Sequence, residues 1–277
     1  MHSKLELLEL LRAHDIRLRK RLGQNYLIDM RLARRLIARC ELRRTDTVLE
    51  VGAGLGALTD LLAEAAGRVI ALEVDRAVAE ALRQRMPPLP NVEVRQEDIL
   101  TVEPQAFEGC TIVGALPYQI SSPILVRLCE QALRFPRAYV SLQREVVERL
   151  AARPGTAAYG RLSVLVQYHF EVETLARMPR SAFFPVPTVD SLWIRLTSRP
   201  HPVVQVRDLA RFFDVVRVAF GQRRKTLVNC LTQLEAAHLR REAAVALLAR
   251  AGLPADIRGE RLSIPQFALL ANALSDS

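Results

Sequence analysis

The 277-residue chain lacks any apolar run long enough to cross a bilayer, which takes about 20 consecutive residues. Its opening stretch, "MHSKLELLELLRAHDIRLRKRLGQN", has no continuous apolar core and no small-residue cleavage site, so it does not read as a secretory signal. Leucines interrupted by Glu and Lys read there as a short amphipathic helix leading into a basic segment. Cysteine is sparse and dispersed: Cys40, Cys110, Cys129 and Cys230 form no C-x-x-C pair and read as reduced thiols of a cytoplasmic protein. The five histidines are equally scattered, and no metal site is expected. Lysine is nearly missing as well, since Lys4, Lys20 and Lys225 are the only lysines among 39 basic residues.

What is present is arginine, and it is clustered. The formal net charge is +9 and the isoelectric point is near 10, which suits a polyanionic partner as well as it suits a basic but ordinary enzyme. "RLRKR" at 17–21 and "QRRK" at 222–225 are compact patches of the kind that contact phosphates, and the same residues would also suit a solvated helix face.

From residue 47 apolar runs alternate with helix-period segments. "TVLEVGAG", "RVIALEVD", "NVEVRQEDIL", "CTIVGALPY" and "RAYVSLQ" read as strands. "ALTDLLAEAAG", "RAVAEALRQRM" and "SSPILVRLCEQAL" read as the helices between them, the last opened by a capping Ser and a tolerated Pro. Such alternation predicts an α/β fold, a parallel sheet with helices on both faces. After "TSRPHPV" (197–203) the pattern becomes helical only, over 207–220, 223–235, 240–251 and 264–274. The expected organisation is therefore a domain over 1–200 and a small helical domain over 201–277.

The chemistry-bearing motifs fall at strand ends. "LEVGAGLGALT" runs a strand into Gly52, Gly54 and Gly56, whose freedom allows a sharp turn and close approach of a ligand. The spacing is not the G-x-G-x-x-G of dinucleotide folds, and alone it does not identify a cofactor. Glu73 ends the second strand about twenty residues on, where an acid can bond ribose hydroxyls or simply face solvent. Asp98 follows the third strand, as an acceptor for an adenine amino group or as a turn residue. The fourth strand delivers "ALPY".

Eight blocks in order then carry a resemblance: "RKRLGQNYL", "EVGAGLGALT", "ALEVDR", "LPYQISSPIL", "LQREVVERLAARPGTAAYGRLSVLVQY", "SAFFPVPTVDSLWIRL", "AFGQRRKTLVN" and "RGERLSIPQFALLAN". From about residue 15 onward the chain resembles the KsgA family, the ribosomal RNA small subunit methyltransferases A. The erythromycin-resistance methyltransferases share the first blocks, while "YGRLSVLVQY" and the "RGERLS" tail look more like the KsgA branch. The resemblance implies a class I S-adenosylmethionine (SAM) methyltransferase with a seven-stranded, mostly parallel Rossmann-like sheet and a C-terminal helical domain facing rRNA. It implies dimethylation of two adjacent adenosines of 16S rRNA in the immature 30S subunit by a monomer.

Site roles follow from the same resemblance. Gln24, Asn25 and Leu27 would close over SAM, Gly52 and Gly54 form the glycine loop, Glu73 hold the ribose and Asp98 the adenine ring. Tyr118 and Phe183 would hold the target base, although either would serve as a core aromatic. The Leu116 backbone carbonyl would accept from the target amine. Arg19, Lys20 and Arg21, with Arg223, Arg224 and Lys225, would meet RNA phosphates.

One position departs from the family. Ala115 stands where the family has Asn, whose side-chain oxygen accepts from the target amine. Loss of one such bond amounts to about 1–3 kcal/mol, roughly a ten- to hundredfold slower step. Gln119 is a candidate to swing in and supply an amide oxygen. The alternative reading is a ribosome-assembly factor that binds the small subunit and has lost its chemistry at Ala115.

Overall fold

A computed structural model describes residues 4–18, 23–85, 89–103, 108–130, 135–234 and 239–275. Arg19, Lys20 and Arg21 lie outside the described residues. The chain divides into two compact units, residues 1–147 with 171–198, and residues 148–170 with 199–277. This differs from the expected 1–200 and 201–277 in that residues 148–170 group with the second unit. The reason lies in their packing: the Tyr159 hydroxyl donates to the Leu262 carbonyl at 2.8 Å, and the Tyr168 ring lies 4.9 Å from that of Phe212.

In the first unit, α1 (Lys4–Ala13) is the short amphipathic helix, burying Leu7 and Leu11. The two-residue strand β1 (Tyr26–Leu27) precedes α2 (Met30–Ala38), which the Asp29 side chain caps by accepting from the Leu32 amide at 2.9 Å. The alternating region then lays down β2 (Thr47–Val51), α3 (Thr59–Ala65), β3 (Arg68–Leu72), α4 (Arg76–Arg85), β4 (Val92–Arg95), β5 (Thr111–Ala115), α5 (Ser121–Glu130) and β6 (Arg137–Gln143). The strand runs are rich in Val, Ile and Leu because a sheet covered by helices on both faces buries both faces of its strands.

Two further elements, α6 (Arg144–Leu150) and α7 (Arg161–His169), precede β7 (Phe170–Met178), the short β8 (Phe183–Phe184) and β9 (Ser191–Ser198). The sheet has seven strands in the order β4-β3-β2-β5-β6-β9-β7. β2 pairs in parallel with β3 and β5, β3 with β4, and β5 with β6, while β9 runs antiparallel to β6. The order leaves β2 in one direction for β3 and β4 and resumes on its other side with β5. Ligands of open α/β sheets bind outside the carboxyl ends of the strands at such a switch point. Fully buried Trp193 and Tyr139 anchor the adjoining core.

The second unit is helical: α7, α8 (Leu209–Gly221), α9 (Leu227–Leu231), α10 (Arg241–Arg250) and α11 (Ile264–Ser275) pack around Phe212 and Phe267. The helix expected over 223–235 is corrected to Leu227–Leu231. Residues 222–225 instead form a turn closed by the Lys225 amide on the Gln222 carbonyl at 2.9 Å, and the Leu227 amide is drawn to the Ile257 carbonyl at 2.8 Å.

Candidate active site

Four strand ends and the segment 23–27 enclose one cleft in the first unit. The end of β2 supplies the glycine loop. Gly52 and Gly54 hold φ of +74° and +55°, a region that L side chains rarely adopt. The Gly52 and Ala53 amides both donate to the Leu72 carbonyl at 3.0 Å, which folds the loop back onto β3. The Tyr26 ring lies against Gly54, where an added Cβ would come within 3.2 Å of it. Glycine is thus demanded by conformation and by contact together.

The end of β3 supplies Glu73. Its Oε2 accepts from the Gly54 amide and its Oε1 from the Asp75 amide, each at 2.9 Å. Burial raises the carboxyl above its ordinary range, and those amides oppose the shift. Each oxygen keeps acceptor capacity for a further donor. Glu50, 1% exposed, also lines the cleft. Burial pushes its carboxyl up to about 8, against a 2.7 Å hydrogen bond from the Thr59 hydroxyl.

Asp98 after β4 lines the cleft and also turns the chain, its Oδ1 accepting from the Leu100 amide at 2.9 Å. Ala115 at the end of β5, with Leu116 and Tyr118 just beyond it, lines the same cleft. The Tyr118 hydroxyl shares a 2.8 Å hydrogen bond with the Ser191 hydroxyl, and burial raises its pKa. Phe183 lines the cleft while being 2% exposed, so it belongs to the core as well. It is fixed by the small antiparallel ladder of β1 with β8, in which Leu27 pairs with Phe183 and Tyr26 with Phe184.

Gln24, Asn25 and Leu27 complete the wall, with the Asn25 amide donating to the Gly23 carbonyl at 3.0 Å. The structure thus brings together Gln24, Asn25, Leu27, Gly52, Gly54, Glu73, Asp98, Ala115, Leu116, Tyr118 and Phe183. It does not bring in Gln119, which is exposed and lies outside the lining. Its Cγ sits 3.7 Å from where a Cβ on Gly23 would be.

The basic residues of the second unit differ from one another. Arg223 is bound into its own fold: Nη2 donates to the Ala157 and Tyr159 carbonyls at 3.0 and 3.1 Å and meets Glu260 at 3.4 Å. Arg224 and Lys225 are exposed in the turn before α9. Among the described residues no group of three or more His, Cys, Asp or Glu could hold a metal ion, and no helix is long and apolar enough to cross a membrane. Sequence reasoning missed Glu50, Tyr26 and Ser141 in the lining. Glu50 carries a readable signal, a lone acid inside the apolar run "TVLEV".

Comparison with known proteins matches the ribosomal RNA adenine dimethylase family model over residues 16–272. A protein of Pelotomaculum thermopropionicum named ribosomal RNA small subunit methyltransferase A is 43% identical, with 97% of this chain and 95% of that protein covered. A protein of the same name from Bacillus mycoides is also 43% identical, covering 92% and 91%. Among solved structures, the 23S rRNA methyltransferase ErmE is 32% identical with a TM-score of 0.63, covering 90% of this chain and 99% of that one. A dimethyladenosine transferase from Plasmodium falciparum has a TM-score of 0.72 at 24% identity, covering 86% and 93%, and shows the shared fold. The chain belongs to the ribosomal RNA adenine dimethylase family.

Proposed function

We propose that the chain is a SAM-dependent dimethyltransferase of the N6 amino groups of two adjacent adenosines in the 3′-terminal hairpin loop of small-subunit rRNA. It acts as a monomer on immature small subunits in the cytoplasm. The observation that carries the reading is the convergence of the glycine loop, Glu73 and Asp98 with Leu116, Tyr118 and Phe183 on one cleft. A binder without chemistry is not favoured, because the relatives over nearly the whole chain are named as methyltransferases.

The cleft fits SAM by its own features. The Tyr26 hydroxyl is buried without a hydrogen-bond partner, and two left-handed glycines leave the loop bare of side chains. Glu73 offers its remaining lone pairs to the ribose, and Asp98 an oxygen to the adenine amino group. Val74, 43% exposed, and Ile99 offer apolar surface to the adenine ring. The cofactor supplies a methyl group on a sulfonium; the rest is positioning by this chain.

The amine of adenine is a weak nucleophile, since its lone pair is delocalised into the ring. The base must first leave its stack. Tyr118 and Phe183 hold it by stacking, about 1–3 kcal/mol per base. The Leu116 carbonyl accepts from the amine and draws its lone pair out of conjugation. Alignment then supplies much of the rate through proximity. No strong base is needed, because the amine becomes acidic as its fourth bond forms and its proton leaves to water. Arg224 and Lys225 bind backbone phosphates.

The test uses small subunits from cells lacking this methylation, incubated with the protein and radiolabelled SAM. Mono- and dimethyladenosine in the digested rRNA are the expected products. No label on these subunits, at full SAM binding, overturns the reading.

A further inference from the structure

The loss of an amide at position 115 has a neighbour that answers it. In the parallel pairing of β5 with β6, Ala115 stands in register with Ser141. Paired residues of adjacent strands point to the same face, with the strands about 4.8 Å apart. Both residues line the cleft, and Ser141 is 1% exposed.

The neighbours of Ser141 on this face of the sheet are aromatic. It pairs with Trp193 of β9 on its other side, and Tyr139 lies two residues back on the same face. A hydroxyl placed in such a wall destabilises the fold unless a donor or acceptor reaches it. It carries two acceptor lone pairs beside its own proton. The short Ala115 methyl leaves open the volume that an amide side chain would fill, and that volume adjoins the Leu116 carbonyl in the chain.

We propose that Ser141 supplies the side-chain acceptor for the target amine that Ala115 lacks, directly or through one water held above the Ala115 methyl. This assignment rests on the dimethyltransferase reading. The N–C bond forms as the S–C bond breaks, the pair staying on sulfur, and the amine proton leaves to water. Ser141 only accepts a hydrogen bond while this occurs.

The test compares the unaltered chain, Ser141→Ala, Ala115→Asn and the double variant, with two readouts. The first is the single-turnover rate on undermethylated subunits. The second, taken without SAM, is the preference of binding for a hairpin with adenine over one with purine, which lacks the amine, at the target position. Ser141→Ala is expected to slow transfer roughly ten- to hundredfold and to lower the adenine preference about three- to tenfold, with SAM affinity unchanged. In the Ala115→Asn background both losses should shrink, because the amide has taken over the bond. Ser141→Cys keeps the volume with a weaker acceptor and should follow Ser141→Ala, while Ser141→Thr should retain most of the rate.

Equal losses in both backgrounds, or an unchanged rate and preference in Ser141→Ala, overturn the assignment. A chain active only as Ala115→Asn keeps the dimethyltransferase reading and overturns the role of Ser141. A chain inactive with either residue at 115 overturns both.

Discussion

The Gly54 amide donates to Oε2 of Glu73 at 2.9 Å, which fastens the glycine loop after β2 to the carboxylate that ends β3. Oε1 meanwhile holds the Asp75 amide. Glu73→Gln would present one oxygen and one NH2, so one of the two amides would face a donor. The expected loss is about 1–3 kcal/mol of stability, read by thermal unfolding. SAM binding should weaken at least about tenfold by calorimetry, corresponding to about 1.4 kcal/mol. A variant that keeps both values would remove Glu73 from the site.

Glu50 ties stability and cofactor binding to pH. Its carboxyl rises from 4.5 to about 8 on burial, so the folded chain holds this proton more tightly than the unfolded one. The corresponding stability is complete below about 4.5 and is lost as pH rises through about 8. Glu50→Gln should flatten the fall of the melting temperature across that window. Glu50 lines the cleft that would take SAM, and a sulfonium placed near it would favour the carboxylate, so SAM uptake at pH 7 should release up to about one proton. Calorimetry in buffers of different ionisation enthalpy reads that proton, and it should vanish in Glu50→Gln.

Gly114 in β5 backs directly onto the Val51 carbonyl oxygen, which an added Cβ would overlap. Backbone cannot yield as a flexible side chain does. Gly114→Ala is expected to destabilise by about 1–3 kcal/mol or more through overpacking. Gly160, extended and open around its Cβ position, is the control: Gly160→Ala should change stability by no more than about 1 kcal/mol. Similar melting temperatures for the two variants would contradict the close approach of β2 and β5.

Tyr118 separates ring from hydroxyl. Tyr118→Phe keeps the stacking face and strips Ser191 of its 2.8 Å partner, for a loss of about 1 kcal/mol, roughly fivefold in kcat/KM. Tyr118→Ala also removes the stack, about 1–3 kcal/mol more. Equal kinetics for the two variants would mean that the ring does not hold the base.

Arg223 and its neighbours should part company in salt titrations. Neutralising Arg224 and Lys225 is expected to lower the slope of log K against log salt by about 0.7–0.9 for each phosphate that is no longer neutralised. Arg223→Gln should instead lower the melting temperature, since its guanidinium ties Ala157, Tyr159 and Glu260 together. A fall in slope from Arg223→Gln equal to the others, with stability intact, would reverse this division.

The strands β2, β3 and β5 were legible because a doubly covered sheet writes apolar runs rich in Val, Ile and Leu, as in "TVLEV" and "RVIAL". The strand-end glycines and acids were legible for a related reason, since each follows such a run. The start of α9 was not, because a turn at 222–225 precedes it and the Leu227 amide bonds the distant Ile257 carbonyl, which no local period reveals. Residues 148–170 read as part of the first domain because their partners, such as Leu262 and Phe212, lie far along the chain. Ser141 was invisible for the same reason: only the register of β5 with β6 sets it beside Ala115.

The four-residue ladder of Tyr26–Leu27 with Phe183–Phe184 joins one wall of the cleft to Phe183, the aromatic that faces the target base in the proposed reaction. In the proposed reaction two methyl groups go onto one nitrogen, so the spent cofactor must leave and be replaced midway. Were Leu27 to part from Phe183 for that exchange, the proposed grip on the half-modified base would loosen with it. Processivity is then a contest between two lifetimes, that of the open ladder and that of the loosened base.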